Sequence, residues 1–344
     1  MKTFITVLSL FFAIFSTNPA LAASVEDFYK GRDVKLIIGG GLGGTYGLYA
    51  QLAAKHIKKH IPGNPTVIVQ TMAGGGGLKA LNYMYNAAPR DGSVLAILHS
   101  EVLFETLLNE KVRFNAQEYN WLGRFVDVVY VGIVSKQSGI RSLEDAKGRE
   151  VVSGATGLRS VTALGPALFN RFAGTKFKII GGYKGTRRIF QALAQGEVDA
   201  VCSSWVNLRV VHGSKIDSGE YVPIFAVGME RLPALPNIPT ITEFGRTKAD
   251  NLFLELYSTD GMIGRSLGAP PGVPQDRVIA LRAAYDKTIK DPEFLAEVKA
   301  RKIMINPMPG QKLAANIDKY MKTPPEEIAA ARKVHKDLLA DIKK

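Results

Sequence analysis

The chain has 344 residues, which is long for one hydrophobic core and predicts two domains. Its formal net charge is +13 at neutral pH, but the basic residues are spread along the chain, which favours a solvated basic surface over a nucleic-acid interface. The single cysteine, Cys202, excludes an internal disulfide, and we expect it to be a small buried apolar residue.

The N-terminal residues have the three-part pattern of a secretory signal peptide. Lys2 supplies positive charge, Phe4 to Phe15 is apolar, and Ala20-Leu21-Ala22 is a small-x-small cleavage site. The apolar run is too short for a membrane span. The pattern therefore predicts that residues 1–22 are a signal peptide and that the mature protein is periplasmic.

The stretch from Val34 to His60 predicts a buried strand, a glycine-rich turn and an amphipathic helix. In the turn, Gly39 to Gly44 carry only one side chain, that of Leu42. A glycine turn that runs into a helix leaves several backbone N–H groups unpaired and pointing one way, which makes an anion site. The alternative is a turn that only lets the helix pack on the strand.

The order of strand, glycine turn and helix recurs three more times. The further turns begin at residues 73, 154 and 181. In the first half of the chain, strands at 66–70 and 94–98 flank a helix at 78–87. Alternating strands and helices predict a parallel sheet with right-handed crossovers. The glycine turns then lie at the carboxyl ends of strands, where open α/β sheets bind ligands.

A second lobe is expected to begin with a strand at 128–134. Its other predicted elements are strands at 150–153, 177–180, 198–203 and 224–227 and helices at 160–173 and 187–195. A proline-rich segment at 233–239 leads back to the first lobe, where Asp260 to Ser266 resembles a strand. Further helices are predicted at 101–109, 276–290, 292–301 and 324–342, with Asp291 and Thr323 as N-caps.

Two motifs suggest other chemistry. Gly39, Gly41 and Gly44 match the dinucleotide pattern G-x-G-x-x-G, but the acidic residue required about 20 positions later is missing. His56 and His60 have the i, i+4 spacing of metal ligands, but no HExxH pattern accompanies them and lysines surround them. We interpret the two histidines as part of a solvated helix face.

No set of catalytic side chains is evident. Ser204 follows a strand without the nucleophile-elbow pattern, and no Ser-His-Asp order occurs. Glu101 and Glu105 are interpreted as a polar helix face. Trp205 either lines a pocket or is partly buried under a loop. The sequence therefore predicts a binding protein without catalytic residues, cofactor or metal.

Several motifs together resemble the Bug family, or TctC family, of extracytoplasmic solute receptors of tripartite tricarboxylate transporters. The matching motifs are GGGLGGTYGLYAQLAAKH, IPGNPTVIVQTMAGGGG, APRDGSVLA, GYKGT with QGEVDA, and LPNIPTITEFG. They run in order from about Asp33 to Pro309. The resemblance implies an α/β fold like that of type II periplasmic binding proteins, with two lobes and a ligand cleft between them. The first lobe would comprise residues 23–126 and 244–344, and the second lobe residues 127–243.

The resemblance also implies where the ligand binds. Backbone groups of the first two glycine turns, often with ordered waters, would hold one carboxylate of a small organic acid. The second lobe would select the rest of the molecule. By motif match, the ligand-binding residues implied are Gly43, Gly44, Thr45, Tyr46, Ala73, Gly74, Gly75, Thr156, Ser160 and Ser204.

The chain departs from the family pattern just after the first turn. The family commonly has aspartate and, four positions later, arginine, where this chain has Gly47 and Gln51. The missing carboxylate disfavours a ligand that bears an amine, and it leaves a first site that is wider or more open to anions.

The expected function is capture of a small organic carboxylate by hinge closure and its delivery to the membrane permease subunits of a tripartite transporter. We expect a monomer that does not bind nucleic acid. Two alternatives stay open. One is a ligand-sensing receptor that presents its closed form to a sensor kinase ectodomain, and the other, less favoured, is an exported hydrolase.

Overall fold

The computed structural model describes residues 24–157 and 160–342. The predicted signal peptide, residues 1–22, lies outside this part of the chain. Among the described residues, no helix combines the length and the apolar character needed to cross a membrane.

Eleven strands are assigned within the described residues. In chain order they are β1 Asp33–Ile38, β2 Thr66–Thr71, β3 Val94–Leu98, β4 Asn120–Val126, β5 Tyr130–Ser135, β6 Val151–Gly154, β7 Phe177–Ile180, β8 Ala200–Ser204, β9 Tyr221–Val227, β10 Arg265–Ala269 and β11 Met308–Pro309.

Thirteen α-helices are assigned within the same residues. They are α1 Val25–Tyr29, α2 Thr45–Ile57, α3 Leu78–Asn86, α4 Val102–Leu108, α5 Asp145–Gly148, α6 Val161–Ala173, α7 Thr186–Gln195, α8 Trp205–Asp217, α9 Lys248–Ile263, α10 Gln275–Thr288, α11 Pro292–Ala300, α12 Gly310–Met321 and α13 Pro325–Asp341.

The strands form two sheets, one in each lobe. The six-stranded sheet has the order β11-β4-β10-β3-β1-β2, and the five-stranded sheet has the order β7-β6-β8-β5-β9. In the first sheet β1 is parallel to β2 and β3, as the alternating pattern predicts, and β10 is antiparallel to β3 and β4. In the second sheet β6 is parallel to β7 and β8. The chain therefore has the predicted architecture of two α/β lobes.

The C-terminal helix α13 and helix α9 connect the cores of the two lobes. Phe172 of the second lobe lies 6.2 Å from Phe253 of α9, measured between ring centroids. On the surface above them, Arg171 of α6 pairs with Asp341 of α13 at 2.7 Å. Apolar contacts and an ion pair therefore both join the lobes on this side of the molecule.

The predicted elements match the structure best where a glycine turn separates a strand from a helix. Elsewhere the prediction of a strand at 260–266 was wrong in its first part, because residues 260–263 end helix α9. Helices α1, α5, α8, α9 and α12 and strands β4 and β11 were not predicted. Asp291 caps α11 by accepting from the backbone N–H of Glu293 and Phe294, as expected. The prediction that Thr323 caps the last helix was wrong, because α13 begins after Pro324 without a side-chain cap.

Candidate functional site

The first glycine turn ends at Gly44, which is the N-cap of α2. Gly43 and Gly44 are exposed, and Thr45 and Tyr46 are half-buried. The backbone N–H groups of Thr45, Tyr46 and Gly47 have no hydrogen-bond acceptor within the described residues, and Leu48 is the first to bond back, to the carbonyl of Gly44 at 3.0 Å. Because α2 also has no acidic residue in its first turn, its N-terminus presents three unpaired donors and a partial positive charge.

The second glycine turn has a backbone that only glycine adopts readily. Gly74, Gly75, Gly76 and Gly77 have φ values of 146°, 56°, 65° and 95°. Ala73 and the first three of these glycines are exposed. The amide groups of Gly74 and Gly75 have no acceptor within the described residues. This turn therefore adds two more unpaired donors.

The two turns lie directly against each other. A Cβ atom placed on Gly39 would stand 2.9 Å from the Cα atom of Gly77, which leaves no room for a side chain. The Met72 N–H also donates to the Ile38 carbonyl at 2.8 Å, which fixes the end of β2 beside the end of β1. The structure thus brings together the first-lobe residues that the family pattern implies.

The geometry of the first turn explains the departure at Gly47. A Cβ atom there would overlap the backbone carbonyl oxygen of Leu42. A contact this short is excluded, so no residue other than glycine fits while Leu42 keeps this position. The path of this turn therefore requires glycine at position 47 and excludes the aspartate of the family pattern.

A buried arginine that the sequence analysis did not identify lies behind the first turn. Arg265 of β10 is 5% exposed. Its Nε and Nη2 atoms donate to the Thr45 hydroxyl oxygen at 3.1 and 2.9 Å, and its guanidinium carbon lies 3.9 Å from the ring centroid of Tyr46. No carboxylate of the described residues lies within ion-pair distance of Arg265. The guanidinium therefore places a positive charge without a direct ion-pair partner beside the N-terminus of α2.

The ring of Tyr46 is held from two further directions. It stacks on His99 with centroids 4.8 Å apart, and its hydroxyl accepts from the Ser100 N–H at 3.0 Å. Burial, and then the charge of Arg265, lower the pKa of His99 to about 3, so this imidazole is neutral at physiological pH. Burial raises the pKa of Tyr46. Tyr46 is thus an uncharged side chain that its neighbours hold in one position beside the first turn.

In the second lobe, the predicted residues form a hydroxyl cluster at the start of α6. The Thr156 N–H donates to the Thr162 hydroxyl oxygen at 3.0 Å, and the Ser160 hydroxyl donates to the Gly157 carbonyl at 2.7 Å. The Tyr183 N–H donates to the Ala155 carbonyl at 3.2 Å, so the third and fourth glycine turns also lie side by side.

Ser204 lies at the point where the two lobes meet. It is the N-cap of α8, and its hydroxyl oxygen accepts from the Asn207 N–H. The next residues, Trp205 and Val206, are buried, and Val206 belongs to an apolar cluster of the first lobe that includes Tyr49. No hydrogen bond between described residues joins Thr156 or Ser160 to the first-lobe turns. Ser204 therefore lies two residues from a side chain that packs in the first lobe, and none of the three hydroxyl residues has a hydrogen bond to the first-lobe turns among the described residues.

Both proposed environments of Trp205 occur together. The side chain is 5% exposed, and it lines a groove of about 1030 Å³ between α8 and residues 301–304 of the first lobe. Glu101 and Glu105 also differ from the sequence interpretation. They are half-buried and line a small cavity instead of forming only a polar helix face.

The interpretation of His56 and His60 as a solvated face was wrong. His56 is 3% exposed and its Nε2 atom lies 2.9 Å from a Glu297 carboxylate oxygen, while His60 Nε2 lies 2.8 Å from Asp291. Ligand atoms of His56, Asp291 and Glu293 come close enough together to hold a metal ion. However, Lys59 already lies 2.9 Å from Asp291 and 2.7 Å from Glu293, so these carboxylates are paired with its ammonium group.

The hydrogen bonds of Glu297 predict that the stability of the fold decreases in acid. Side-chain hydrogen bonds from Lys55, His56 and Arg301 lower the pKa of Glu297 from 4.5 to about 2. A lowered pKa means that the stabilisation is complete above pH 4.5 and is lost as the pH falls towards 2. We expect Glu297→Gln to lower the free energy of unfolding by about 1–2 kcal/mol at pH 7 and to have little effect near pH 2.

Urea unfolding of both proteins across this pH range measures the effect. Glu293→Gln is the matched control, because the Glu293 side chain is 78% exposed and its loss should change little. An unfolding free-energy difference for Glu297→Gln that did not vary with pH would contradict the assignment.

Comparison with known proteins agrees with this geometry. The sequence model of the tripartite tricarboxylate transporter family receptor, TctC, matches residues 50–327. The chain belongs to the TctC family. It is therefore a solute-binding receptor and not an enzyme, and the resemblance seen in the sequence motifs is confirmed.

Solved structures of similar fold include several receptors. The periplasmic binding protein BugD is 20% identical with a TM-score of 0.63, over 90% of this chain and 98% of that one. A TctC solute-binding protein from Polaromonas is 17% identical with a TM-score of 0.63, over 90% and 99%. MatC from Rhodopseudomonas palustris, solved with bound malate, is 20% identical with a TM-score of 0.60, over 86% and 99%. None of the curated proteins compared with the chain matches it significantly.

Proposed function

We propose that this receptor captures a small organic carboxylate in the periplasm by closing its two lobes, and delivers it to the permease subunits of a tripartite transporter. The observation that supports the proposal is the set of unpaired amides on two adjoining turns, at Thr45–Gly47 and at Gly74–Gly75, beside the buried charge of Arg265. Backbone donors of this kind suit a carboxylate, which accepts several hydrogen bonds at once.

The number of donors is sufficient for useful affinity. Each hydrogen bond to a charged group contributes about 1.5–3 kcal/mol, so four or five bonds give a gross gain on the order of 10 kcal/mol. Desolvation of the carboxylate removes several kcal/mol, and lobe closure adds buried ligand surface. A micromolar affinity requires about 8 kcal/mol. The fixed positive charge of Arg265 increases the gain further without requiring direct contact with the ligand.

We assign the second lobe the role of selecting the rest of the ligand. Ser204 lies two residues before Val206, which packs in the first lobe, and Thr156 and Ser160 would approach the turns as the lobes rotate. Beside the first crossing between the lobes, the Val128 N–H donates to the carbonyl of Gly261 in α9 at 3.0 Å. With the proposed boundaries, 127–243 for the second lobe, the chain leaves the first lobe after β4 and returns to it before α9.

A thermal-shift screen tests the proposal. The purified protein, shown to be free of retained ligand by native mass spectrometry, is heated with di- and tricarboxylates, including the malate and adipate found in relatives. We expect at least one acid to raise Tm by several degrees in a saturable manner, because a ligand that binds only the folded state stabilises it. The matching uncharged amides serve as controls. Equal shifts with acids and amides, or no shift with any acid, would contradict the proposal.

A further inference from the structure

A cluster of imidazole and carboxylate groups lies where the C-terminal end of α2 packs against the N-terminal end of α11. Ligand atoms of His56, Asp291 and Glu293 all lie within 4.8 Å of one another. Just after α2, His60 extends the cluster, with its Nε2 atom 2.8 Å from Asp291 Oδ2. At 1.5 Å per residue, His56 is about 17 Å along α2 from Thr45, so the cluster is separate from the proposed carboxylate site.

The side chains of this cluster come from two helix faces that meet. His56 and His60 are four residues apart, and so are Glu293 and Glu297, which puts each pair on one side of its helix. His56 is 3% exposed, its Nε2 atom lies 2.9 Å from a Glu297 carboxylate oxygen, and its ring packs edge-on against Phe294. The imidazole is therefore held in one position beside the carboxylates.

Asp291 uses its two carboxylate oxygens for different purposes. Its Oδ1 atom accepts from the backbone N–H groups of Glu293 and Phe294 at 2.9 and 3.2 Å, which caps α11. Its Oδ2 atom instead lies 2.8 Å from His60 Nε2 and 2.9 Å from Lys59 Nζ. The bond from Lys59 lowers the pKa of Asp291, so the carboxylate is ionised at neutral pH. A cation bound at Oδ2 would leave the cap of α11 intact.

The ammonium group of Lys59 already places a cation between the two carboxylates of the cluster. Its Nζ atom lies 2.9 Å from Asp291 and 2.7 Å from Glu293. The Lys59 side chain is 36% exposed and has a flexible stem, so the ammonium group can turn into water without becoming a buried, unpaired charge. The position between the carboxylates can therefore pass from Lys59 to a cation that binds more strongly.

We propose that this cluster binds one Zn²⁺ ion through His56, Asp291 and Glu293, with a water in the fourth position. Zinc takes imidazole nitrogen and carboxylate oxygen at about 2.0–2.2 Å in tetrahedral geometry, which puts ligand atoms about 3.3 Å apart. The longest separation in the cluster, at most 4.8 Å, then has to shorten by at most about 1.5 Å. A site with an imidazole also favours Zn²⁺ over Mg²⁺ and Ca²⁺, which prefer oxygen ligands.

The bound ion would take the place of the Lys59 ammonium group and join the C-terminal end of α2 to the N-terminal end of α11. Helix α2 is the element whose N-terminus lies at the first glycine turn. The zinc site does not depend on the proposed carboxylate function, since it uses none of the same residues.

The test is zinc binding to the chelator-treated full chain in a buffer that does not bind metals. ZnCl2, MgCl2 and CaCl2 are titrated separately at constant ionic strength while Tm is measured. We expect only ZnCl2 to give a saturable rise in Tm, of roughly 3–5 °C at a hundredfold excess over Kd. Native mass spectrometry should show one zinc ion per chain.

Three variants test the assigned roles. Asp291→Asn removes a charged ligand but keeps a side chain that caps helices as well as aspartate does, so it should fold and weaken zinc binding at least tenfold. Glu293→Gln changes a side chain that is 78% exposed and should also weaken binding at least tenfold. Lys59→Met removes the competing ammonium group and should strengthen zinc binding about tenfold.

The control is His212→Gln, which removes an imidazole of α8 in the second lobe and should keep the full zinc response. Equal zinc responses in wild type, Asp291→Asn and Glu293→Gln would overturn the proposal, and so would equal responses of the wild type to ZnCl2 and MgCl2. A zinc response seen only in Lys59→Met, or in no protein at all, would likewise overturn it, because Lys59 would then be the permanent cation of the cluster.

Discussion

Gly44→Val is expected to weaken carboxylate binding at least 100-fold while the fold is retained. Gly44 has φ −100° and ψ 179°, which valine adopts readily, and the nearest atom to an added Cβ is the Gly41 carbonyl oxygen at 3.8 Å. The substitution therefore costs little in the folded protein. A branched side chain would, however, cover the unpaired N–H groups at the start of α2 and exclude the ligand carboxylate from them.

The measurement is calorimetric titration of the acid identified by the thermal-shift screen, with urea unfolding of each variant. Gly148→Val is the matched control, because Gly148 also has space for a side chain and lies at the end of α5, just before the amino end of β6 and away from the glycine turns. Gly74→Val is less suitable than Gly44→Val, since Gly74 has φ 146° and valine would strain the turn. Unchanged affinity in Gly44→Val would remove the first turn from the site.

Arg265→Gln is expected to weaken binding about 10- to 100-fold and also to lower stability. The side chain supplies the positive charge beside the first turn, and it donates twice to Thr45. A positive charge about 6–10 Å from the bound carboxylate contributes about 1.5–3 kcal/mol at an effective dielectric constant of about 20, which gives the stated range of affinity. Arg265→Lys should have a smaller effect, because it keeps the charge but loses the two-atom contact with Thr45.

The control for lost stability is Arg282→Gln. Arg282 is a half-buried arginine of α10 in the same lobe, and its Nε atom donates to the Trp121 carbonyl at 2.9 Å. Its loss should destabilise the lobe without changing carboxylate affinity. If Arg265→Gln and Arg282→Gln had the same affinity as wild type, Arg265 would be only a structural residue.

Much of the architecture could be predicted from the sequence because strand, turn and helix alternate with clear local signals. The boundary of β7, Phe177–Ile180, agrees with the prediction, and β1, β2 and β3 are parallel as expected. The buried end of α9 was mistaken for a strand because residues there pack on all sides, which removes the helical spacing of polar residues. Residues 258–261 are all buried in the structure.

The candidate site could be predicted only in part. Local patterns identify the glycine turns, since their backbone needs glycine wherever it occurs. Arg265 could not be found in this way, because it is 220 residues from Thr45 in the chain and only the antiparallel pairing of β10 with β3 brings the two together. His56 also has a distant partner, because Glu297 of α11 lies 241 residues away and reaches it where α11 packs on α2. Contacts of this kind depend on the tertiary packing of distant elements and leave no local signal.

The central claim is that backbone amides of the two first-lobe turns hold a carboxylate, and a crystal structure of the complex with the selected acid tests it most directly. We predict one carboxylate with its oxygens about 2.7–3.2 Å from the amide nitrogens of the 45–47 segment and of Gly74 or Gly75. A complex in which the acid lies elsewhere, with these amides bonded within the chain or covered by the second lobe, would contradict it.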